Sequence, residues 1–311
     1  MKVLITGASG FIGQAMLKLL SKRDDCSVVA ASRTPDFPTP THVKSIGYQD
    51  SNLQTELRNS NVVIHLAGLA HTPTAHEAEY KIANVDFSIA LARLAARSGV
   101  ERFIFVSSIG VMGDHTEHTP FNEESLPRPI AEYAKSKLTA EIALKEILLG
   151  TRTALTIIRP PLVYAATAPG NFHKLLRAIS LGIPIPLGST RNLRSSISID
   201  NFSNFLEICI DHPKAANELF VIAEPRPYST TALLEMIISG MQFKPLMIRV
   251  PPRVMGLFLT SMGKQSVYRQ LFGTLIIDSS KAEKMLGWRP VIETAVALAN
   301  AGREFERLRK N

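Results

Sequence analysis

The sequence predicts an α/β protein built on a doubly wound parallel sheet. Two observations carry this. A glycine-rich turn sits between an apolar run and a helical pattern at the N-terminus. Short apolar runs then alternate with stretches of helical periodicity as far as residue 159. Alternating strand and helix implies parallel strands covered by helices on both faces. In such a sheet, ligands bind beyond the carboxyl ends of the strands.

The first element, Met1-Lys2-Val3-Leu4-Ile5, reads as a buried strand. Residues 14–21 read as a helix, with Ala15, Met16, Leu19 and Leu20 on one stripe. Between them lies Thr6-Gly7-Ala8-Ser9-Gly10-Phe11-Ile12-Gly13. Glycines let a backbone turn tightly and bring its N–H groups against a pyrophosphate, while the helix N-terminus adds partial positive charge. The spacing is GxxGxxG, not the usual GxGxxG. A tight turn with no ligand is the plainer alternative, and placement directly after an apolar strand weighs against it.

Residues 27–31 read as the second strand, 43–46 as a third and 62–66 as a fourth. Residues 77–98 form a long helical pattern with Ile82, Val85, Ile89, Ala92, Leu94 and Ala95 as its apolar stripe. A strand at 102–106 runs into Ser107-Ser108, and a proline-bearing loop spans 120–129. A helix at 131–149 and a strand at 155–158 complete the alternation, ending in Arg159-Pro160-Pro161.

The second half is less regular. A helix is expected at 171–181, and short strands at 184–188, 196–199, 219–222 and 246–250. Asp200 is placed to cap a helix through Ile210, and Ser229 or Thr230 another through Ser239. Residues 254–259 are apolar but short, and 295–309 read as a charged helix. No glycine–serine linker appears, so a second domain packs directly on the first. The expected division is residues 1–165 plus roughly 195–222 in one domain, and roughly 166–194 plus 223–311 in the other.

Composition narrows the class. Hydrophobic content of 45% and charged content of 20% are ordinary for a globular chain of 311 residues. No apolar run reaches the ~18 residues of a membrane span. Met1 leads straight into a strand, which argues against a signal peptide. Cys26 and Cys209 lie in apolar runs and read as reduced core residues of a cytoplasmic protein. The net charge of +8 is dispersed, so a pocket for an anionic small molecule is expected in place of nucleic acid. No metal-ligand cluster stands out.

Chemistry is carried by Tyr133-Ala134-Lys135-Ser136-Lys137. Tyr133 and Lys137 are four apart and share one helical face. An ammonium beside a phenol favours the phenolate, pulling the tyrosine pKa down from ~10 toward the range of a general acid or base. Such a pair alone is commonly a surface feature. Ser108 strengthens the case, because it follows a strand that opens on the crevice and could bind the oxygen Tyr133 protonates.

With these residues in place, the chain resembles the extended short-chain dehydrogenase/reductase superfamily. The resemblance rests on Gly7, Gly10 and Gly13, His65-Leu66-Ala67, Asn84-Val85, Ser107-Ser108 and Tyr133 with Lys137. It continues in Arg159-Pro160-Pro161-Leu162-Val163-Tyr164 and Arg194-Ser195-Ser196-Ile197-Ser198-Ile199-Asp200, so it spans nearly the whole chain. It implies a Rossmann-type sheet with a smaller C-terminal α/β substrate-binding domain. It implies catalysis by Ser108, Tyr133 and Lys137. It implies dinucleotide contacts from Gly7, Ser9, Gly10, Phe11, Ile12, Gly13, Ser32, Arg33, Leu66, Ala67, Gly68, Asn84, Val106, Pro160 and Val163, with Tyr133 and Lys137 at the nicotinamide ribose.

Within the superfamily the chain is similar to the nucleotide-sugar branch, above all bacterial UDP-N-acetylhexosamine 4-epimerases and UDP-4-keto-sugar reductases. Pro184-Ile185-Pro186-Leu187-Gly188, Asn192-Leu193-Arg194-Ser195 and the stretch from Asp278 to Trp288 carry that likeness. It implies a UDP-sugar substrate held by Ser107, Ser108, Asn171, Phe172, Arg194 and Arg269, the two arginines meeting the diphosphate through forked, permanent charges. Homodimers through two helices per subunit are common there, and one is open to this chain.

Three departures matter. Val163-Tyr164-Ala165-Ala166 replaces the common Val-Tyr-Gly-Pro, Met112 holds an often aromatic position, and the second strand ends in Ser32-Arg33 with no acid for the adenosine ribose. Arginine there suits the 2′-phosphate of NADP(H), with NAD(H) as the alternative. The leading expectation is therefore an NADPH-dependent reductase acting at C4 of a UDP-linked 4-keto sugar in polysaccharide precursor synthesis. The runner-up is a UDP-N-acetylglucosamine or UDP-glucose 4-epimerase. A dinucleotide-sensing protein without catalysis is a third reading, disfavoured by the intact Ser–Tyr–Lys set.

Overall fold

The structure, a computed structural model, describes residues 1–49, 52–70 and 76–310. The N-terminal half runs β1 (Lys2–Thr6), α1 (Phe11–Leu20), β2 (Ser27–Ser32), β3 (Lys44–Gly47), α2 (Asn52–Arg58) and β4 (Val62–His65). It continues through α3 (Glu77–Tyr80), a π-helical segment (Lys81–Asp86), α4 (Phe87–Ser98), β5 (Arg102–Val106), α5 (Glu132–Leu148), β6 (Ala154–Arg159) and β7 (Leu162–Tyr164). Then come α6 (Asn171–Ser180), β8 (Ser196–Ser198), α7 (Ile199–Asp211), β9 (Leu219–Val221), α8 (Thr230–Ser239) and α9 (Pro252–Ser261). The last elements are α10 (Gln265–Phe272), α11 (Ser280–Leu286) and α12 (Thr294–Lys310).

Seven parallel strands form one sheet in the order β3-β2-β1-β4-β5-β6-β9. Chain order reverses between β1 and β4, which creates the crevice where a dinucleotide can lie. Strand alternation feeds two cores. Val3 and Ile5 pack with Met16, Leu17 and Leu20 of α1 and Phe202, Phe205 and Leu206 of α7. On the opposite face, Leu4 packs with Leu57 of α2, Leu91, Ala92 and Ala95 of α4, and Ala140 and Leu144 of α5. A further core joins Tyr164, Phe172, Leu176, Leu234, Ile237 and Leu298, so α6, α8 and α12 close around β7. β7 and β8 pair as a separate two-stranded sheet.

Several expectations need correction. Residues 184–188 and 246–250 are not full strands: they run side by side through one isolated bridge, Ile185 with Met247, and three backbone hydrogen bonds, too short a pairing to make a ladder. Ser198, not Asp200, caps α7, its hydroxyl accepting from Asn201 N at 3.2 Å. Asp200 sits inside the first turn, where its charge suits the helix dipole. Ser229 caps α8 through Ala232 N. The apolar residues 254–259 belong to a ten-residue helix, α9. Cys26 is partly exposed and only Cys209 is fully buried. Ile82 is 65% exposed and outside the expected stripe. The wide turns of the π-helical segment rotate it by roughly a quarter turn from the face that α4 buries.

Candidate active site

The glycine loop leaves β1 at the crevice. Gly7 adopts φ +70, and a Cβ there would lie 2.6 Å from Ala67 N. At Gly13 a Cβ would meet Gly7 O at 2.3 Å, so α1 packs directly on the loop. No side chain caps the start of α1 at Gly10, which leaves its first N–H groups to a ligand. This glycine cradle fits a dinucleotide pyrophosphate. Ser9 is exposed at its rim, and Phe11 and Ile12 are partly buried.

The adenosine end contains a residue that the sequence did not single out. Tyr48, just after β3, accepts a hydrogen bond from Gly7 N at 2.7 Å and packs its ring 4.6 Å from Phe87. Burial pushes its phenol pKa up, against the pull of the nearby Arg33 charge. Arg33 itself is exposed beyond β2, and the Ser32 hydroxyl is buried and bonded to Thr34 O. Nothing in residue type or spacing marked Tyr48; only the sheet register brings the ends of β3 and β1 together.

Beneath the crevice lies a buried polar chain. His65, at the end of β4, bonds Thr6 Oγ1 at 2.6 Å and Ser88 Oγ at 2.7 Å. Burial, with the Lys137 charge adding to it, pulls its pKa down to about 3. The ring is therefore neutral at physiological pH. The unfolded chain binds a proton near the reference value of about 6.5, while the folded chain resists it. Stability should then fall as pH drops from about 6.5 toward 3, with a slope near 1.4 kcal/mol per unit from this residue. Urea unfolding across that window measures it. His65→Gln should lose the excess slope, and an unchanged slope would show that His65 is not its source.

Above that chain, Lys137 is fully enclosed at the ends of β4 and β5. Its Nζ donates to Val106 O at 3.0 Å and stands 4.7 Å from the centre of the Phe105 ring. A Cβ on Gly68 would come within 3.3 Å of that nitrogen and 2.9 Å of Asn84 Oδ1. Asn84 binds both sides of the strand-end loop, accepting from Leu69 N and donating to Leu69 O. Its amide also donates to Ser136 Oγ at 2.9 Å, which fastens the loop to α5. Leu66 and Ala67 lead into this loop beside the glycine turn, and Ala67 is buried.

Ser108 ends the extension of β5. Its Oγ accepts from Gly110 N at 3.1 Å, and a Cβ on Gly110 would touch Ala134 at 3.4 Å. The Ser108 turn therefore packs on α5 between Tyr133 and Lys137. Ile109 N donates to Pro160 O, placing the loop after β6 against the same turn, and Val163 is partly buried behind it. The Ser107 hydroxyl is buried with no hydrogen-bond partner among the described residues.

The electrostatics reverse one expectation. Burial, with Tyr80 beside it, pushes the Tyr133 phenol up to about 12. Burial also lowers Lys137 to about 8, partly offset by Glu141. Each charge alone is costly in this enclosure, and Lys137 is engaged with Val106 O. A phenolate facing an ammonium is neutral as a pair and escapes much of that cost. An ammonium carries three donors, so two remain beyond the bond to Val106 O.

Across the cleft, Arg194 and Arg269 do come together. Arg194 Nη1 donates to Gly273 O at 3.0 Å and to Arg269 O at 3.4 Å. Burial lowers the Arg194 pKa, opposed by Asp114. Arg269 pairs with Asp114 at 3.2 Å. Burial acts to raise the Asp114 carboxyl, but His115 and Arg269 outweigh it and hold it below the usual range. Asn171 joins the group through Gln270 Oε1 at 2.5 Å. Phe172 points away from Asn171 in this structure. It is 2% exposed and packs its ring on Tyr164, because at the second position of α6 it faces the core.

A glycine cradle at the topological switch point, with an enclosed lysine, a tyrosine and a serine at the next strand ends, defines an oxidoreductase of the Rossmann class. The chain belongs to the NAD dependent epimerase/dehydratase family, which matches residues 3–223. A UDP-glucose 4-epimerase of Vibrio cholerae is 36% identical over 298 residues, 93% of this chain and 90% of that protein. An N-acetyl-alpha-D-glucosaminyl-diphospho-ditrans,octacis-undecaprenol 4-epimerase of Escherichia coli O157:H7 is 28% identical over 221 residues, 70% of this chain and 66% of that protein. Among solved structures, MoeE5 in complex with UDP-glucuronic acid and NAD shares the fold, with a TM-score of 0.80 at 23% identity over 99% of this chain and 100% of that one. The protein is thus an NAD-dependent enzyme of nucleotide-sugar epimerase/dehydratase type.

Proposed function

We propose that the protein is a 4-epimerase of a UDP-linked hexose or N-acetylhexosamine that keeps its NAD through the catalytic cycle. One observation carries the reading. Lys137 and the Ser108 turn converge on the ends of β4 and β5 beside the glycine cradle, in a chain 36% identical to a UDP-glucose 4-epimerase over 93% of its length. When bound, the nicotinamide supplies a place for the C4 hydride to go and to return from. Tyr133 would take the proton of the C4 hydroxyl as the hydride leaves C4, and return it to the same oxygen once the 4-keto sugar has turned its other face to receive the hydride. Ser108 holds that oxygen, and Lys137 supports the phenolate and the ribose. Arg194 and Arg269 hold the diphosphate, which requires Arg269 to exchange Asp114 for phosphate oxygens.

This reading displaces the reductase as first choice, since the family and the Vibrio cholerae relative favour an epimerase. One experiment separates the two and also reads the NAD or NADP preference linked to Arg33. The purified protein is denatured to identify retained dinucleotide, then assayed with UDP-N-acetylglucosamine and UDP-glucose. Retained NAD and interconversion of C4 epimers without added cofactor are expected. Net NADPH oxidation with a UDP-4-keto sugar, and no interconversion, would restore the reductase.

A further inference from the structure

From residue 236 to residue 277 the chain contains no Asp or Glu, yet it carries Lys244, Arg249, Arg253, Lys264 and Arg269. The chain as a whole has 27 acidic residues in 311, so a stretch of this length would ordinarily hold several. Within it, α9 turns its apolar side outward. Val254, Leu257, Phe258 and Met262 recur three and four apart and are 53%, 77%, 58% and 49% exposed. Only Leu259 of α9 is buried. Leu246, just upstream, is 67% exposed as well. Lys244, Arg249, Arg253 and Lys264 are exposed, and none is ion-paired among the described residues.

Exposed apolar residues of this size on one helical face are uncommon on a surface that meets only water. Flanking cations with no acids are the composition of a helix that lies in a membrane interface. We propose that the α9 face docks on an anionic phospholipid bilayer. The leucine, phenylalanine and methionine would enter the boundary between headgroups and acyl chains, and the cations would meet headgroup phosphates. A ten-residue helix is about 15 Å long and cannot span the bilayer. A second copy fits less well. Two such faces brought together would set Arg249, Arg253 and Lys264 against their own copies, with no acid within residues 236–277 to pair them.

The proposal does not depend on the reaction assigned above, so either can fail alone. It has a consequence for the site. α10 follows α9 directly and carries Arg269, next to Arg194. Docking would therefore hold the paired arginines close to the headgroup layer.

The test is co-sedimentation of the full chain with vesicles of phosphatidylglycerol and phosphatidylethanolamine, and with phosphatidylcholine alone. Binding to the anionic vesicles is expected, weakening at high salt, with little binding to phosphatidylcholine. Leu257→Glu/Phe258→Glu should weaken it about tenfold or more, with an unchanged melting midpoint and dinucleotide content. Arg249→Gln/Arg253→Gln leaves the apolar face intact and should weaken binding while flattening its salt dependence. Failure to bind anionic vesicles at low salt, or equal binding by wild type and both variants, would overturn the proposal. So would a dimer in sedimentation velocity that the Leu257/Phe258 variant dissolves, without vesicle binding; that result would name a second copy as the occupant.

Discussion

Tyr133→Phe is expected to lower turnover by about 10²–10⁴-fold while retained dinucleotide stays near the wild-type level. The substitution keeps the ring and its packing beside Tyr80, 6.3 Å away between centroids, and removes only the hydroxyl. The size of the effect follows from the enclosure. The hydroxyl is the group assigned to the proton, and Lys137, lowered to about 8 by burial, stands one helical turn away to support its phenolate. His65 is occupied by Thr6 and Ser88 and stays neutral. Single-turnover hydride transfer is the proper readout, because product release can mask a slow chemical step. A variant that keeps more than half the wild-type rate of that step would remove Tyr133 from the chemistry.

The second large effect is on stability. Arg159 at the end of β6 and Glu141 on α5 form a two-pronged ion pair at 2.9 and 2.5 Å, with exposures of 4% and 1%. Removing one partner from a buried pair leaves the other charge without compensation, at a cost of about 3–5 kcal/mol. Glu141→Ala should therefore lower the free energy of unfolding by that amount in urea titration. Glu141 also stands one helical turn beyond Lys137 and supports its charge. Replacing both partners by methionine and leucine should recover much of the loss, since a well-packed apolar pair is often as stable. If Glu141→Ala changes stability by less than about 1 kcal/mol, the pair is not the clamp between α5 and β6 that its geometry indicates.

How much of this was legible in the residues differs from place to place. The glycine turn, the strand alternation and the four-residue spacing of Tyr133 and Lys137 are local signals, and each survives in the structure as an element or a shared helix face. Signals that depend on tertiary context were not legible. Tyr48 reaches Gly7 only because β3 and β1 end at the same level of the sheet. The Tyr133 pKa moves upward because enclosure, invisible in a pentapeptide, outweighs a neighbouring charge. Asn171 and Phe172 are neighbours in sequence, but successive helical positions face about 100° apart, so one meets α10 and the other the core. Residues 184–188 and 246–250 have strand-like composition and do pair with one another, but only through one bridge and three backbone hydrogen bonds. The helix α2 is short and its pattern alone does not distinguish it from a loop.

The widened helix between Lys81 and Asp86 makes the site sensitive to chain length more than to residue identity. Deleting one residue there would restore an ordinary helix and turn everything before it by about 100° relative to α4. Tyr80 would swing off Tyr133, and Asn84 would lose its aim at Leu69 and Ser136. By contrast, the outward side chains of Lys81 and Ile82 are exposed and can vary without disturbing that aim. This stretch therefore sets the angular phase of the catalytic helix pair, and a change of one residue in its length acts like a misregistered gear tooth.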